Sequence, residues 1–167
     1  HNQNIFEARI DNSQKWKAEH QKTIHHSYSS SKFYNDYKDI ILGIYDKEYE
    51  TISDLNISIV KLISTLLGIK TIFVNSKDLG TTGVKDDKLI AICKKIGATC
   101  YLSGPSAKDY IRQEKFVDAG IDLEFKNYSN YPEYNQPWGE FDPGVSVIDL
   151  IFNMGKEAPH YIWGWRN

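Results

Sequence analysis

Apolar residues recur at helical spacing along the first third of this chain. A short alternating run spans Ile5 to Ile10. The polar triplet Asp11-Asn12-Ser13 then offers an N-cap, and Trp16, His20, Ile24 and Tyr28 follow four residues apart, which predicts a helix near 13–28. A serine cluster (Ser27, Ser29, Ser30, Ser31) interrupts, and Phe33, Tyr37, Ile40, Ile41 and Ile44 restart a one-sided stripe as a second helix. Thr51-Ile52-Ser53-Asp54 reads as a capping box. Leu55, Ile59, Leu62, Ile63 and Leu66 form the buried face behind it, and Gly68 is the stop.

The pattern then shifts to short β-rich runs, 70–75 and 99–103, separated by a helix whose face is Leu89, Ile90, Cys93 and Ile96 and whose end is Gly97. Strand, helix, strand predicts that these two strands pair in parallel through a right-handed crossover. A short helix follows Ser103-Gly104-Pro105 and ends near Gly120, and Ile121, Leu123 and Phe125 alternate as a third strand at 121–126. The expected fold is therefore α/β, a parallel or mostly parallel sheet flanked by helices. Residues 127–145 carry Tyr, Asn, Pro and Gly without periodicity, which predicts a long loop before a last helix at about 145–154.

Length and composition narrow this picture. The 167 residues suit one domain with a core, and 41% hydrophobic with 25% charged residues is a globular balance. The formal charge of −2, from 20 basic and 22 acidic side chains, supplies no basic excess for nucleic acid or anionic lipid. Cys93 and Cys100 suggest neither a disulfide framework nor a zinc site, and the histidines, with His25 and His26 adjacent, suggest no metal. The run Leu66-Leu67-Gly68-Ile69 ends at Lys70, far short of the roughly 18 apolar residues of a membrane span. No basic-then-apolar leader is present, but without a starting Met the sequence is compatible with a piece of a longer protein, so that absence says little about location; the expected location is cytoplasmic.

In open parallel sheets, ligands bind beyond the carboxyl ends of strands. Two such ends are Asn75-Ser76-Lys77-Asp78 and Ser103-Gly104-Pro105-Ser106. In the second, Gly104 permits close approach and Pro105 presets a helical turn, so free amides there can hold an anion; a plain turn and cap is the other reading. Neither loop is a Walker A or dinucleotide motif, and Ser103 lacks the Gly-x-Ser-x-Gly context of a nucleophile elbow. In the last helix Ser146, Asp149 and Asn153 form one polar stripe facing either water or a site. Tyr128, Tyr131, Tyr134, Trp138 and Phe141 give the long loop five rings, suited to stacking on a sugar or base, or to covering the sheet. The loop is expected to fold over the sheet's carboxyl edge. His20 shares a face with Trp16 and Ile24, which predicts partial burial.

The strings Tyr101-Leu102-Ser103-Gly104-Pro105-Ser106-Ala107-Lys108-Asp109-Tyr110 and Phe141-Asp142-Pro143-Gly144-Val145-Ser146-Val147-Ile148-Asp149-Leu150-Ile151-Phe152-Asn153 resemble the WbqC-like family of bacterial proteins. So do Arg9-Ile10-Asp11-Asn12-Ser13-Gln14-Lys15-Trp16, His20, Leu67-Gly68-Ile69 and Tyr131-Pro132-Glu133-Tyr134-Asn135-Gln136, in the same order. The resemblance covers nearly the whole chain and implies a single domain over 1–167. It implies a protein of O-antigen or other surface-polysaccharide biosynthesis, a glycine or aminoacyl transferase acting on an amino sugar. The family's usual N-terminal Gln-Pro segment and Gly-Tyr-Phe step are missing here, which implies a truncated site.

On that resemblance the partner is a nucleotide- or lipid-linked sugar, with nucleic acid only as a charged tRNA donor; no cofactor is identified. Asp149, or His20 in its place, takes the base role. The amides around Ser103 and Gly104 hold an oxyanion or phosphate, and Tyr110, Tyr134, Gln136, Ser146 and Asn153 bind the sugar. Ser103-Gly104 and the Ser146, Asp149, Asn153 stripe are expected to face one shared pocket. A non-catalytic sugar- or nucleotide-binding protein that assists polysaccharide assembly uses the same aromatic loop.

Overall fold

The computed structural model of the chain describes residues 3–166. Its backbone forms two compact units, one made of the chain up to Lys70 together with Tyr131 onward, the other of Thr71–Asn130. The first unit is helical. Helix α1 (Trp16–Tyr28) starts later than the polar triplet suggested, because Asp11 spends its carboxylate on a turn: its Oδ1 accepts from the Ser13 amide (3.1 Å) and hydroxyl (2.6 Å). Helix α2 (Tyr34–Leu42) continues into a 3-10 turn, Gly43–Asp46. Helix α3 (Ile52–Leu66) is capped as expected, the Asp54 amide donating to Thr51 Oγ1 at 3.1 Å, and Gly68 beyond it has φ +70°. The run Ile5 to Ile10 makes no strand; Ile5–Glu7 is a 3-10 turn, and Arg9 bridges Thr51.

The chain returns to this unit through the loop from Tyr131 and ends in α6 (Val147–Met154) and α7 (Ala158–Ile162). Five consecutive residues of α6, Asp149 to Asn153, are buried, so this helix is the centre of the core, packed by Tyr34, Ile41, Leu67 and Ala158. Gly155, which follows α6, has φ +55°, and a Cβ there would lie 2.8 Å from Phe33 Cγ. The Phe33 amide donates to Phe152 O at 2.8 Å, so the α1–α2 turn is clamped onto the end of α6.

The second unit carries the sheet. Helix α4 (Lys85–Ile96) ends at Gly97 with φ +71°, and β1 (Cys100–Ser103) pairs in parallel with β2 (Asp122–Phe125), Cys100 opposite Asp122 and Ser103 opposite Phe125. A 3-10 turn (Pro105–Asp109) and α5 (Gln113–Asp118) make the connection. Cys93, Phe116 and Ile121 are its core. The α/β class with a parallel sheet therefore holds, but the pair differs from the expectation. Residues 70–75 are not a strand: Ile72, Phe73 and Val74 are 85%, 46% and 54% exposed, and β-propensity without a ladder partner does not make a strand. Among the described residues no helix is long and apolar enough to cross a membrane.

Candidate functional site

The polar stripe of the last helix divides once folded. Ser146 stands exposed at the N-cap, whereas Asp149 and Asn153 are 4% and 8% exposed and point into the protein. Burying a carboxylate is costly unless it is well hydrogen-bonded, and three donors converge on Asp149 Oδ1. They are the Tyr134 hydroxyl at 2.8 Å, Gln136 Nε2 at 3.2 Å and Asn153 Nδ2 at 3.2 Å. Asn153 Nδ2 also donates to the Asp149 carbonyl at 2.9 Å. Among the described residues no cation pairs with this carboxylate. Its place in the first turn of α6 sets it in the favourable end of the helix field.

Two of the three donors arrive from the long loop, which has no regular structure and is held by side chains instead. Gln136 Oε1 accepts from the Asp142 amide at 2.8 Å and its Nε2 donates to the Asp142 carbonyl at 3.0 Å, while Asp142 Oδ1 accepts from the Gly144 amide at 2.7 Å. Trp138 Nε1 donates to Ser27 O at 2.9 Å. Tyr131, Tyr134 and Phe141 are half-buried, with Tyr134 edge-on to Phe141 (5.2 Å) and Tyr161 (5.6 Å); Tyr128 and Trp138 are exposed. From Tyr131 on, the loop belongs to the helical unit, where its rings pack on α7 and the C-terminal turn. Burial pushes the Tyr134 phenol above the ordinary tyrosine range and its bond to Asp149 pushes the same way, though Gln136 opposes. Tyr134 is thus a protonated donor to Asp149.

These side chains form one wall of a cavity of about 560 Å³, within the size range of small-molecule sites. Tyr134, Gln136 and Asn153 line it; Asp149 lies behind them. The α1–α2 turn adds Ser31, Lys32 and Phe33 to the lining, and Glu133, Glu157 and Tyr161 also contribute; the charged side chains Lys32, Glu133 and Glu157 are exposed. The arrangement can grip a polar ligand between oriented side chains and ring faces.

The expected site residues are only partly brought together. Tyr134, Gln136, Asn153 and Asp149 form one hydrogen-bonded network. Ser146 is not part of the cavity lining. His20 is exposed rather than half-buried, its ring edge-on to Trp16 (5.5 Å) and Tyr45 (5.7 Å), and it does not line the cavity either. The shared face with Trp16 and Ile24 was real, but α1 buries that face only partly. Ser103, Gly104 and Tyr110 belong to the second unit, and the cavity is built without them. A Cβ at Gly104 would meet nothing within 4 Å, so packing does not demand glycine there. Ser31, Phe33 and Glu157 were not legible as site residues in the sequence, where the serine cluster reads as a helix break and Phe33 as part of an apolar stripe.

The profile of the WbqC-like protein family matches residues 1–161. The chain is 36% identical over 161 residues to the uncharacterized protein Rv1507c of Mycobacterium tuberculosis, an alignment covering 96% of this chain and 69% of that protein. No solved structure matches the chain. The match of family profile and relative over nearly the whole chain identifies it: the protein belongs to the WbqC-like protein family.

Proposed function

We propose that the cavity of the helical unit seats the amino sugar of a nucleotide- or lipid-linked carrier, and that the protein transfers an aminoacyl group, glycyl in the simplest case, to its amine. The observation that carries this reading is the buried Asp149 carboxylate holding Tyr134, Gln136 and Asn153 in one oriented wall of the cavity. Polar side chains of fixed direction beside the rings of Phe33 and Tyr161 suit a sugar, which offers hydroxyl edges and C–H faces.

In the reaction the sugar amine attacks the carbonyl carbon of an activated aminoacyl ester. The C–N bond forms, the C–O bond breaks, the amine loses a proton and the leaving oxygen gains one. Asp149 is a positioning residue in this scheme, since it is not part of the cavity lining and its Oδ1 accepts from three side chains that are. The proton goes to an exposed carboxylate of the cavity lining, Glu133 or Glu157. Removing Glu133 and Glu157 charges together should lower turnover far more than sugar affinity.

The test is incubation of the protein with an amino-sugar nucleotide and a glycyl ester, read by mass spectrometry for a sugar heavier by one glycyl residue. Binding without product favours the second reading, a non-catalytic sugar-binding protein. That reading gains from the same observation, because a carboxylate engaged with three donors builds a binding wall and not a free base. No binding of any amino-sugar nucleotide overturns both.

A further inference from the structure

We infer that the segment 137–140 of the long loop is a strap beside the cavity and that Trp138 is its latch: while the indole is bonded to Ser27 the cavity is held narrow, and release of that bond opens it. Such a latch acts on access, whichever ligand the cavity takes.

Two stretches of the cavity lining come from distant parts of the chain, 30–33 in the α1–α2 turn and 133–137 in the loop. Each is fastened separately to α6. The Phe33 amide donates to Phe152 O at 2.8 Å, and Tyr28 and Tyr34 pack their rings on Phe152 at 5.3 and 5.1 Å. Tyr134 and Gln136 donate to Asp149. The turn and the loop are also tied directly to each other, because Trp138, next to the lining residue Pro137, donates from Nε1 to Ser27 O at 2.9 Å. Ser27 O belongs to the last turn of α1, where carbonyls have no helical partner. Those of His25 and Tyr28 are taken by the Ser29 and Ser31 amides, each at 2.9 Å, and Trp138 supplies the donor for Ser27.

The bonds at the loop root and at the latch differ in kind. Tyr134 and Gln136 bond a carboxylate that is 4% exposed, whereas Trp138 is 66% exposed and bonds a neutral carbonyl. Bonds to buried charge are the stronger and bonds in contact with water the weaker, so opening begins at Trp138. One neutral hydrogen bond of ordinary net strength corresponds to a closed-to-open ratio of about two to ten, which leaves roughly one molecule in ten to one in three open.

The strap is built to move on its own. Gln136 bonds both the amide (2.8 Å) and the carbonyl (3.0 Å) of Asp142, which joins the two ends of the segment to each other, and Phe141 stands edge-on to Tyr134 at 5.2 Å. Between these anchors Trp138, Gly139 and Glu140 are exposed, Gly139 has φ +65°, and a Cβ on it would meet nothing within 4 Å. A short, unpacked segment between two fixed points is the build of a gating loop. Its first residue, Pro137, lines the cavity, so its displacement changes the cavity directly.

Met154 reports on access. It lines the cavity, is half-buried, and is the chain's single methionine. Its oxidation by hydrogen peroxide, followed by peptide mass spectrometry, therefore measures opening without any ligand. Trp138→Phe keeps a ring and removes the donor. It should raise the Met154 oxidation rate about three- to tenfold, the inverse of the open fraction above. Amide exchange should accelerate at 138–140 and keep the wild-type rate at 133–136, where the loop root stays bonded to α6. Trp138→Ala should do at least as much. An unchanged or slower oxidation rate in both variants overturns the latch. Faster oxidation accompanied by faster exchange at 133–136 overturns the strap, since the whole loop has then come away and Trp138 only clamps its fold.

Discussion

The bond between Tyr134 and Asp149 is the one on which both the loop and the cavity depend, and its removal should be measurable in stability. Tyr134→Phe keeps the ring against Phe141 and Tyr161 and deletes only the hydroxyl that donates to Asp149 Oδ1 at 2.8 Å. Hydrogen bonds to a charged group contribute about 1.5–3 kcal/mol, and Asp149 keeps two amide donors, so the loss stays within that range instead of stranding the carboxylate. For a chain of this size each kcal/mol moves the melting temperature by about 2–4 °C, which places the expected drop at about 3–12 °C. Asp149→Asn behaves differently. Its oxygen still accepts from all three donors, each bond weaker by about 1 kcal/mol for want of charge, while relief from burying an ion offsets much of that loss. The double variant closes a thermodynamic cycle, read by urea unfolding followed through tryptophan fluorescence. A coupling energy of about 1 kcal/mol or more is expected, since the two groups touch. Additive effects, within about 0.3 kcal/mol, would refute the claim that this pair holds the wall together.

Three further outcomes follow from the same structure. Gly155→Ala should destabilise by about 2 kcal/mol or more in chemical unfolding, combining strain at φ +55° with a Cβ 2.8 Å from Phe33 Cγ; a shift under about 0.5 kcal/mol would contradict that packing. The raised Tyr134 phenol favours the protonated folded state, so its contribution is intact below the unfolded tyrosine value of 10.0 and is lost as pH rises past it. Tyr134→Phe should accordingly make the alkaline stability profile shallower by up to about 1.4 kcal/mol per pH unit, and an unchanged slope would count against it. In the second unit, the Arg112 guanidinium at 2.7 Å holds the Asp86 carboxyl below its ordinary 3.8 despite burial. That contribution is present above 3.8 and lost as pH falls through the lower folded value, so Asp86→Asn should flatten the acid limb of the stability curve.

Helix α3 was legible residue by residue, because everything that makes it is local: Thr51 and Asp54 meet across one turn, the apolar stripe has the helix period, and Gly68 takes the left-handed angle that ends it. The same holds for Gly97 after α4 and for the alternation at 121–125. Sequence also picked out Tyr134, Gln136, Asp149 and Asn153 as polar residues worth explaining, and motif order carried the family. Pairing was another matter. Ile72, Phe73 and Val74 have strand-forming side chains as good as those of β2, but a strand exists only where a neighbour completes its ladder, and that neighbour is chosen by tertiary packing. Nor does helical spacing say which way a polar stripe faces: packing of α6 at the centre of the core, with the loop's Tyr134 and Gln136 on Asp149, buried Asp149 and Asn153 and left Ser146 exposed. The cavity itself joins the serine turn before α2 to a loop a hundred residues later, a juxtaposition that has no local signature because it is made by the core around Phe152.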